Sequence, residues 1–311
     1  MFFDMHIERR AKHAPFPSMN RIADLLVAAA ADDNFPLKEF EKGEVTYIIK
    51  KAVKDESDHT LSILLESADK NAPNTRYVNH AAKTKRDFDK QKDEGGGHSA
   101  HIVISLTSEK SGDNVYVCLM EKAPSFPEHR VKSVLNAAIR VKCKEENHFL
   151  YTRPGGSKKE IAYVPHLEFK GHLSDALQSD LEAGVINSLT LIEPDTAKPL
   201  GQSKFFSGVE KQMKVKMVRK PGTGNVLSAI KAAAKSQSSD YSRIRISFKP
   251  EDGGQSTHVD LSTDTGQLVS DGYIKTRHFG GITPSIKTTA VDDFVAHLVS
   301  RMKSDLFKER S

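Results

Sequence analysis

The chain has 311 residues, 38% of them apolar and 7% aromatic with no Trp, and its 46 Lys/Arg against 41 Asp/Glu give a formal net charge of +5. That length suits one large domain with a smaller partner, and the mixed-sign charge excludes the composition of a disordered chain. The longest apolar run, Ile22 to Ala31 broken by Asp24, is far short of the ~20 residues of a bilayer span, so no transmembrane helix and no direct membrane insertion are expected. Met1 to His6 carries Asp4 and no basic segment ahead of an apolar one, so it does not read as a signal peptide. Cys118 and Cys143 stand alone, which argues against a disulfide scaffold or a cysteine-rich zinc site and fits a reducing cytoplasm.

Ser18 to Asp33 reads as an amphipathic helix with Ser18 as N-cap and Ile22, Leu25, Leu26 and Ala29 on one face. Glu44 to Val53 and Thr60 to Glu66 are strand candidates joined by the polar turn Lys54 to His59. From Asn71 to Gly97 the chain turns polar, and Lys83 to Glu94 looks like an exposed helix or loop. Strands are expected at Ile102 to Leu106 and Val115 to Leu119, a helix at His129 to Ile139 and a weak strand at Phe149 to Tyr151. A turn at Arg153 to Lys159 leads to a strand at Ile161 to Phe169, a helix at Leu173 to Ala183 stopped by Gly184, and a strand at Ile186 to Ile192. Pro194 to Ser203 is the candidate boundary between an N-terminal α+β domain, residues 1–200, and a basic C-terminal α+β domain, residues 201–311.

In the second part Met213, Val215 and Met217 alternate with Lys214 and Lys216, as in a half-buried strand with one basic face. A helix follows from Asn225 to Lys235. Tyr241 to Lys249 alternates again, Ile244, Ile246 and Phe248 against Arg243, Arg245, Ser247 and Lys249. Another strand ends at Gly272 to Lys275, and Val291 to Phe307 closes the chain as a helix with Phe294, Leu298, Met302 and Leu306 on its buried side.

The charge follows this order. Residues 204–311 hold 18 Lys/Arg against 11 Asp/Glu, and residues 204–249 alone hold 11 against 2. Two strands around one helix, each apolar on one face and basic on the other, predict a sheet covered on one side and positive on the other. Such a face attracts a polyanion, because neutralising phosphates releases condensed counterions. The plain alternative is solvated surface charge.

Signals for chemistry are sparse. His98 and His101 form an H-x-x-H at the start of a strand, where the rings point to opposite faces and chelate poorly, so a surface pair is expected. Glu168 and Lys170 form an E-x-K of the kind that holds a metal-binding carboxylate and a stabilising Lys in nucleases, with Asp113 as the one plausible upstream donor. Pro221 to Gly224 ahead of a helix could offer N–H groups to a phosphate, but it lacks the Lys and spacing of a P-loop and reads as a turn. No nucleophilic triad has a local signature. No cofactor or metal is expected.

The closing stretch Val295-Ala-His-Leu-Val-Ser-Arg-Met-Lys-Ser-Asp-Leu306 resembles the end of the RexA family of phage-exclusion proteins. Val215-Lys216-Met217 and Ile244-Arg-Ile-Ser-Phe-Lys-Pro250 are similar to that family's strands around a helix, and Asn20 to Asn34 with Tyr47-Ile48-Ile49 is weakly similar to its first helix and strand. The middle third does not share the likeness, and after Pro250 this chain has Glu251-Asp252-Gly253-Gly254 where the family has basic residues. The resemblance implies a two-domain homodimer, related in plan to the RdgC proteins, that binds DNA without sequence preference in the cytoplasm and excludes superinfecting phage. A nearby-encoded membrane effector protein is a further partner it implies.

Residues and resemblance together predict an α+β, non-enzymatic DNA-binding protein, its target double-stranded. Lys214, Lys216, Arg243, Arg245 and Lys249 would contact phosphates, with Lys275, Arg277 and Lys287 as additions. Competing readings are a metal-dependent nuclease using Glu168 and Lys170, and a basic module for an acidic partner protein.

Overall fold

The structure, a computed structural model, describes residues 1–9, 11–109, 114–146, 149–155, 159–195, 209–222, 224–250, 255–269 and 273–309. The protein is α+β and divides into two compact units. Unit 1 comprises Met1, Phe3–Phe169 and His278–Ser311, and unit 2 comprises Phe2 and Lys170–Arg277. This division differs from a break at residue 200. Residues 170–200 group with the later chain, and residues 278–311 with the first unit. The candidate boundary lies mostly outside the described residues, since 196–208 are not among them.

Unit 1 is built on a seven-stranded sheet. Its strands are β1 (Phe2–Arg9), β2 (Lys38–Phe40), β3 (Val45–Asp55), β4 (Thr60–Asp69), β7 (Gly96–Ser105), β8 (Val115–Met120) and β11 (Pro165–Gly171), in spatial order β11-β1-β8-β7-β4-β3-β2. Two short pairs lie outside it: β5 (Thr75–Asn79) with β6 (Thr84–Phe88), and β9 (Leu150–Thr152) with β10 (Glu160–Ala162). Helices α1 (Met19–Ala30) and α2 (Glu128–Glu146) pack on each other and on β3, burying Ile22, Leu25, Leu26, Val131, Leu135 and Ala138. Ser18 caps α1 as its residue type requires, its hydroxyl accepting from the Arg21 N–H at 3.4 Å.

Three expectations are corrected here. Residues 83–94 form no helix, because the polar stretch pairs with Thr75–Asn79 as a ribbon. The strand expected over Ile161–Phe169 splits into β10 and β11, since Pro165, which has no N–H, begins the second. Of the strand expected at Gly272 to Lys275, Gly272 lies outside the described residues, and among the described ones Ile274 forms a single bridge, with Leu173.

The last helix of unit 1, written α5 (Ala296–Glu309), packs on β7 and β8 through Leu298, Met302 and Leu306. Lys303 fastens it, with its Nζ 2.6 Å from Asp55 and 3.0 Å from Asp58 in the β3–β4 turn. The apolar stripe of α5 is thus committed within its own unit. Among the described residues no helix is long and apolar enough to cross a membrane.

Unit 2 is a four-stranded antiparallel sheet in the order β13 (Val209–Val215), β12 (Val185–Asp195), β14 (Arg243–Lys249), β15 (Thr257–Ser262), with helices α3 (Asp175–Ala183) and α4 (Val226–Lys235). Its core joins Leu189 and Leu191 of β12 with Ile244, Ile246 and Phe248 of β14 and Val259 and Leu261 of β15. Leu177 and Leu181 of α3 and Val226, Ile230 and Ala234 of α4 close over them. Gly184 ends α3 because the chain must pass close to β14, where a Cβ would sit 2.3 Å from the Lys249 carbonyl oxygen.

Candidate nucleic-acid interface

Alternation on β14 places Ile244, Ile246 and Phe248 in the core, and Arg243, Arg245, Ser247 and Lys249 on the opposite face. Pairing extends that face across the sheet. Lys214 lies opposite Thr190, Thr190 opposite Arg245, and Arg245 opposite Asp260. The next row runs Gln212, Ile192, Arg243 and Ser262. Lys214 of β13 therefore shares a side with Arg243 and Arg245 of β14, whereas Lys211 takes the other face over Tyr241 and Lys216 follows the end of β13, beyond the paired register.

The cations differ in their surroundings. Arg245 donates from Nε and Nη2 to the two oxygens of Asp260, both at 2.8 Å, and Asp260 is only 5% exposed. This fork-to-fork pair fixes the guanidinium and raises its already high pKa. Arg243 has its Nη2 3.8 Å from Glu210, and its Nε is buried with no hydrogen-bond partner among the described residues. Lys214, Lys216 and Lys249 are exposed.

Lys214 of β13 and Lys216 just after it border a groove of about 400 Å³ where β12 and β13 end their pairing. Asn187 and Ser188 line it with Ile186, Leu189, Val215 and Met217. A register shift between Ile186 and Ser188 marks a bulge in β12 there. Nothing in the residue pattern points to Asn187 or Ser188 as part of a site, because a bulge leaves no periodic signature.

Other basic residues of the stretch have structural work. Lys220 donates to the carbonyls of Glu182 and Gly184 at 2.6 and 2.7 Å, closing the end of α3. Lys211 sits over the Tyr241 ring at 4.5 Å. The Gly224 N–H, a candidate phosphate contact, donates to the Glu182 carboxylate at 2.9 Å, which supports the turn reading. Lys275 is half-buried, its N–H bonded to the His172 carbonyl, and Arg277 is exposed. Lys287 is exposed but belongs to unit 1. Lys204 and Glu251 to Gly254 lie outside the described residues.

Regrouping by unit also redistributes the charge. Unit 2 holds 15 Lys/Arg against 12 Asp/Glu, net +3, and the remainder 31 against 29, net +2. The concentration of charge is local to β13, β14 and their connections rather than a property of a whole domain.

The other chemical signals resolve structurally. His101 is buried, which corrects the expected surface pair. Its Nε2 accepts the Val295 N–H at 3.1 Å, leaving Nδ1 to donate to Glu121 at 2.7 Å. Glu168 pairs with Lys132 at 2.7 Å and has His166 at 3.6 Å. Among the described residues no group placed to share an ion includes Glu168, and Asp113 lies outside them. Burial pushes the Cys118 thiol up to about 12 and the Cys143 thiol up to about 11, so neither is a thiolate nucleophile at neutral pH.

Set beside known proteins, the chain matches no family model, no curated protein and no solved structure.

Proposed function

We propose that the chain binds nucleic acid without reading its sequence, through the exposed Lys214 of β13 and Lys216 just after it in unit 2. The observation that carries this is the pair Lys214 and Lys216, both exposed, bordering an open groove with Asn187 and Ser188. Ammonium groups on flexible stems suit phosphates as point charges, and contacts of this kind position a strand without discriminating bases. Lys249 on the same face adds a third exposed cation. Arg245 contributes field rather than a free donor fork, since both its donating nitrogens face Asp260.

The wider setting is that of the RexA resemblance: a homodimer acting on DNA in phage exclusion, in the cytoplasm, alongside a membrane effector protein. The nuclease reading is weaker on this geometry, because Glu168 already pairs with Lys132. A basic module for an acidic partner protein uses the same lysines and is separated by competition between DNA and an acidic polypeptide.

The test is duplex binding across a salt series for the wild type and Lys214→Ala/Lys216→Ala. The double variant should bind all sequences more weakly and flatten the log–log salt slope by about two units, near one for each phosphate left without its lysine. Unchanged affinity and slope would overturn the reading.

A further inference from the structure

The β5–β6 ribbon of unit 1 has no counterpart in the function assigned to unit 2. All ten of its strand residues are exposed. It interrupts the central β4–β7 pair, which is in register from Thr60 with Ser105 to Asp69 with Gly96, so residues 70–95 extend from the end of that hairpin. Its base is clamped. Lys90 Nζ donates to the carbonyls of Lys70 and Ala72, and Asn74 Nδ2 donates to Asp89 at 2.7 Å. Gly95 allows the closure, because a Cβ there would lie 2.7 Å from the Asp69 backbone nitrogen. At the tip the Asn79 side chain accepts the N–H of Ala82, three residues on, at 3.0 Å and closes the turn.

A lone two-stranded ribbon is marginal in water and gives large apolar side chains nothing to pack on. This one nevertheless carries Tyr77, 56% exposed, and Phe88, 49% exposed. Their rings meet edge to face at 5.5 Å, with the Arg86 guanidinium 4.7 Å from the Phe88 centroid and 5.6 Å from that of Tyr77. Pairing puts all three on one face. From Thr75 to Phe88 the ribbon holds Arg76, Lys83, Lys85 and Arg86 against Asp87 alone, and Asp87 is held by Arg76 at 2.6 and 2.8 Å.

We propose that this ribbon is a contact arm for single-stranded nucleic acid, stacking an unpaired base on the Tyr77–Phe88 platform while Arg86, on the same face, meets its phosphate. The net positive charge selects a polyanion over an apolar partner. Perpendicular rings let one take a base face to face while the other abuts it edge-on. A base within a duplex keeps its faces covered, so an open ring selects unstacked bases. The proposal rests on the nucleic-acid reading but on residues of the other unit.

The sequence has no Trp, so Tyr77→Trp in the full chain gives a single emitter at the platform. It is titrated with a short fluorescein-labelled oligodeoxythymidylate and with a duplex of equal length, reading Trp emission and label anisotropy together. We expect emission to fall about twofold as the single strand saturates and to stay level with duplex. Tyr77→Leu/Phe88→Leu keeps an apolar cross-strand pair, and hence the ribbon by circular dichroism, but should weaken oligodeoxythymidylate binding about tenfold. If the single strand binds while Trp emission is unchanged and the Leu pair binds as tightly as wild type, the arm is overturned and the β13 reading stands. Failure of both nucleic acids to bind overturns both. An emission change that follows protein concentration without any nucleic acid assigns the ribbon to a second copy of the chain and also overturns the proposal.

Discussion

Strands β13 and β14 read alike in the sequence, each an apolar and a basic face in strict alternation, yet the fold treats their cations differently. On edge strand β13 and just beyond its end, Lys214 and Lys216 are exposed beside a groove. On inner strand β14, Arg245 is forked onto the nearly buried Asp260 of the neighbouring strand, and Arg243 has a buried Nε with no hydrogen-bond partner among the described residues. Period-two alternation determines which face a side chain takes. Whether a charge on that face is available to a ligand depends on the strand next to it, and that is a matter of pairing across the sheet.

The largest expected effect comes from breaking the inner pair. Arg245→Ala leaves Asp260 without its guanidinium, and a poorly hydrated carboxylate that loses a charged donor costs about 1–3 kcal/mol. Urea unfolding of this variant should show that loss, whereas Lys214→Ala/Lys216→Ala should stay within about 0.5 kcal/mol of wild type, as exposed substitutions do. Equal stability of the two variants would erase the distinction between the strands. Nucleic-acid affinity should rank them the other way.

A paired cation in unit 1 sharpens the contrast with a pH signature. The Lys303 ammonium, then the Ser57 hydroxyl and the Asp58 N–H, hold the Asp55 carboxyl well below the usual carboxylate range. A carboxylate whose folded pKa is depressed adds stability that is present above its unfolded value near ~4 and lost as pH falls through the lower folded value. Thermal melts of wild type and Asp55→Asn should therefore differ at pH 7 and converge as the pH drops below about 4. A gap that persists undiminished toward pH 2 would mean that the charge of Asp55 is not what fastens α5.

Much of the fold was legible because it is local. Ser18 announces the cap of α1, Ile244, Ile246 and Phe248 announce the core face of β14, and Gly184 marks the end of α3. What was not legible is non-local. Residues 278–311 join unit 1 through Lys303 and the Val295 N–H on His101, contacts spanning 248 and 194 residues. No window of sequence contains both ends of such a bond. The ribbon at residues 75–88 was missed for a different reason. Its charges suggested a solvated helix or loop, although Thr75-Arg76-Tyr77-Val78 carries β-formers that pair only with Thr84 to Phe88.

The smallest predicted effect concerns Arg243, and it decides whether β14 contributes a ligand contact at all. Its Nε is a buried donor with no hydrogen-bond partner among the described residues, and a buried donor left in that state carries an unrecovered desolvation cost. Glu210 stands 3.8 Å from its Nη2 and also accepts from Gln212 at 2.9 Å, so the ion pair between them is long. Arg243→Met keeps an unbranched stem over the neighbouring Ile192 while removing the orphan donor and one charge. These contributions oppose each other, so stability should change by less than about 0.5 kcal/mol in either direction. If the nucleic-acid contacts reside on β13, the salt slope of this variant should also match the wild type. A slope shallower by about one unit would show that the Arg243 guanidinium turns from Glu210 to a phosphate on binding, and would extend the interface from the edge strand onto β14.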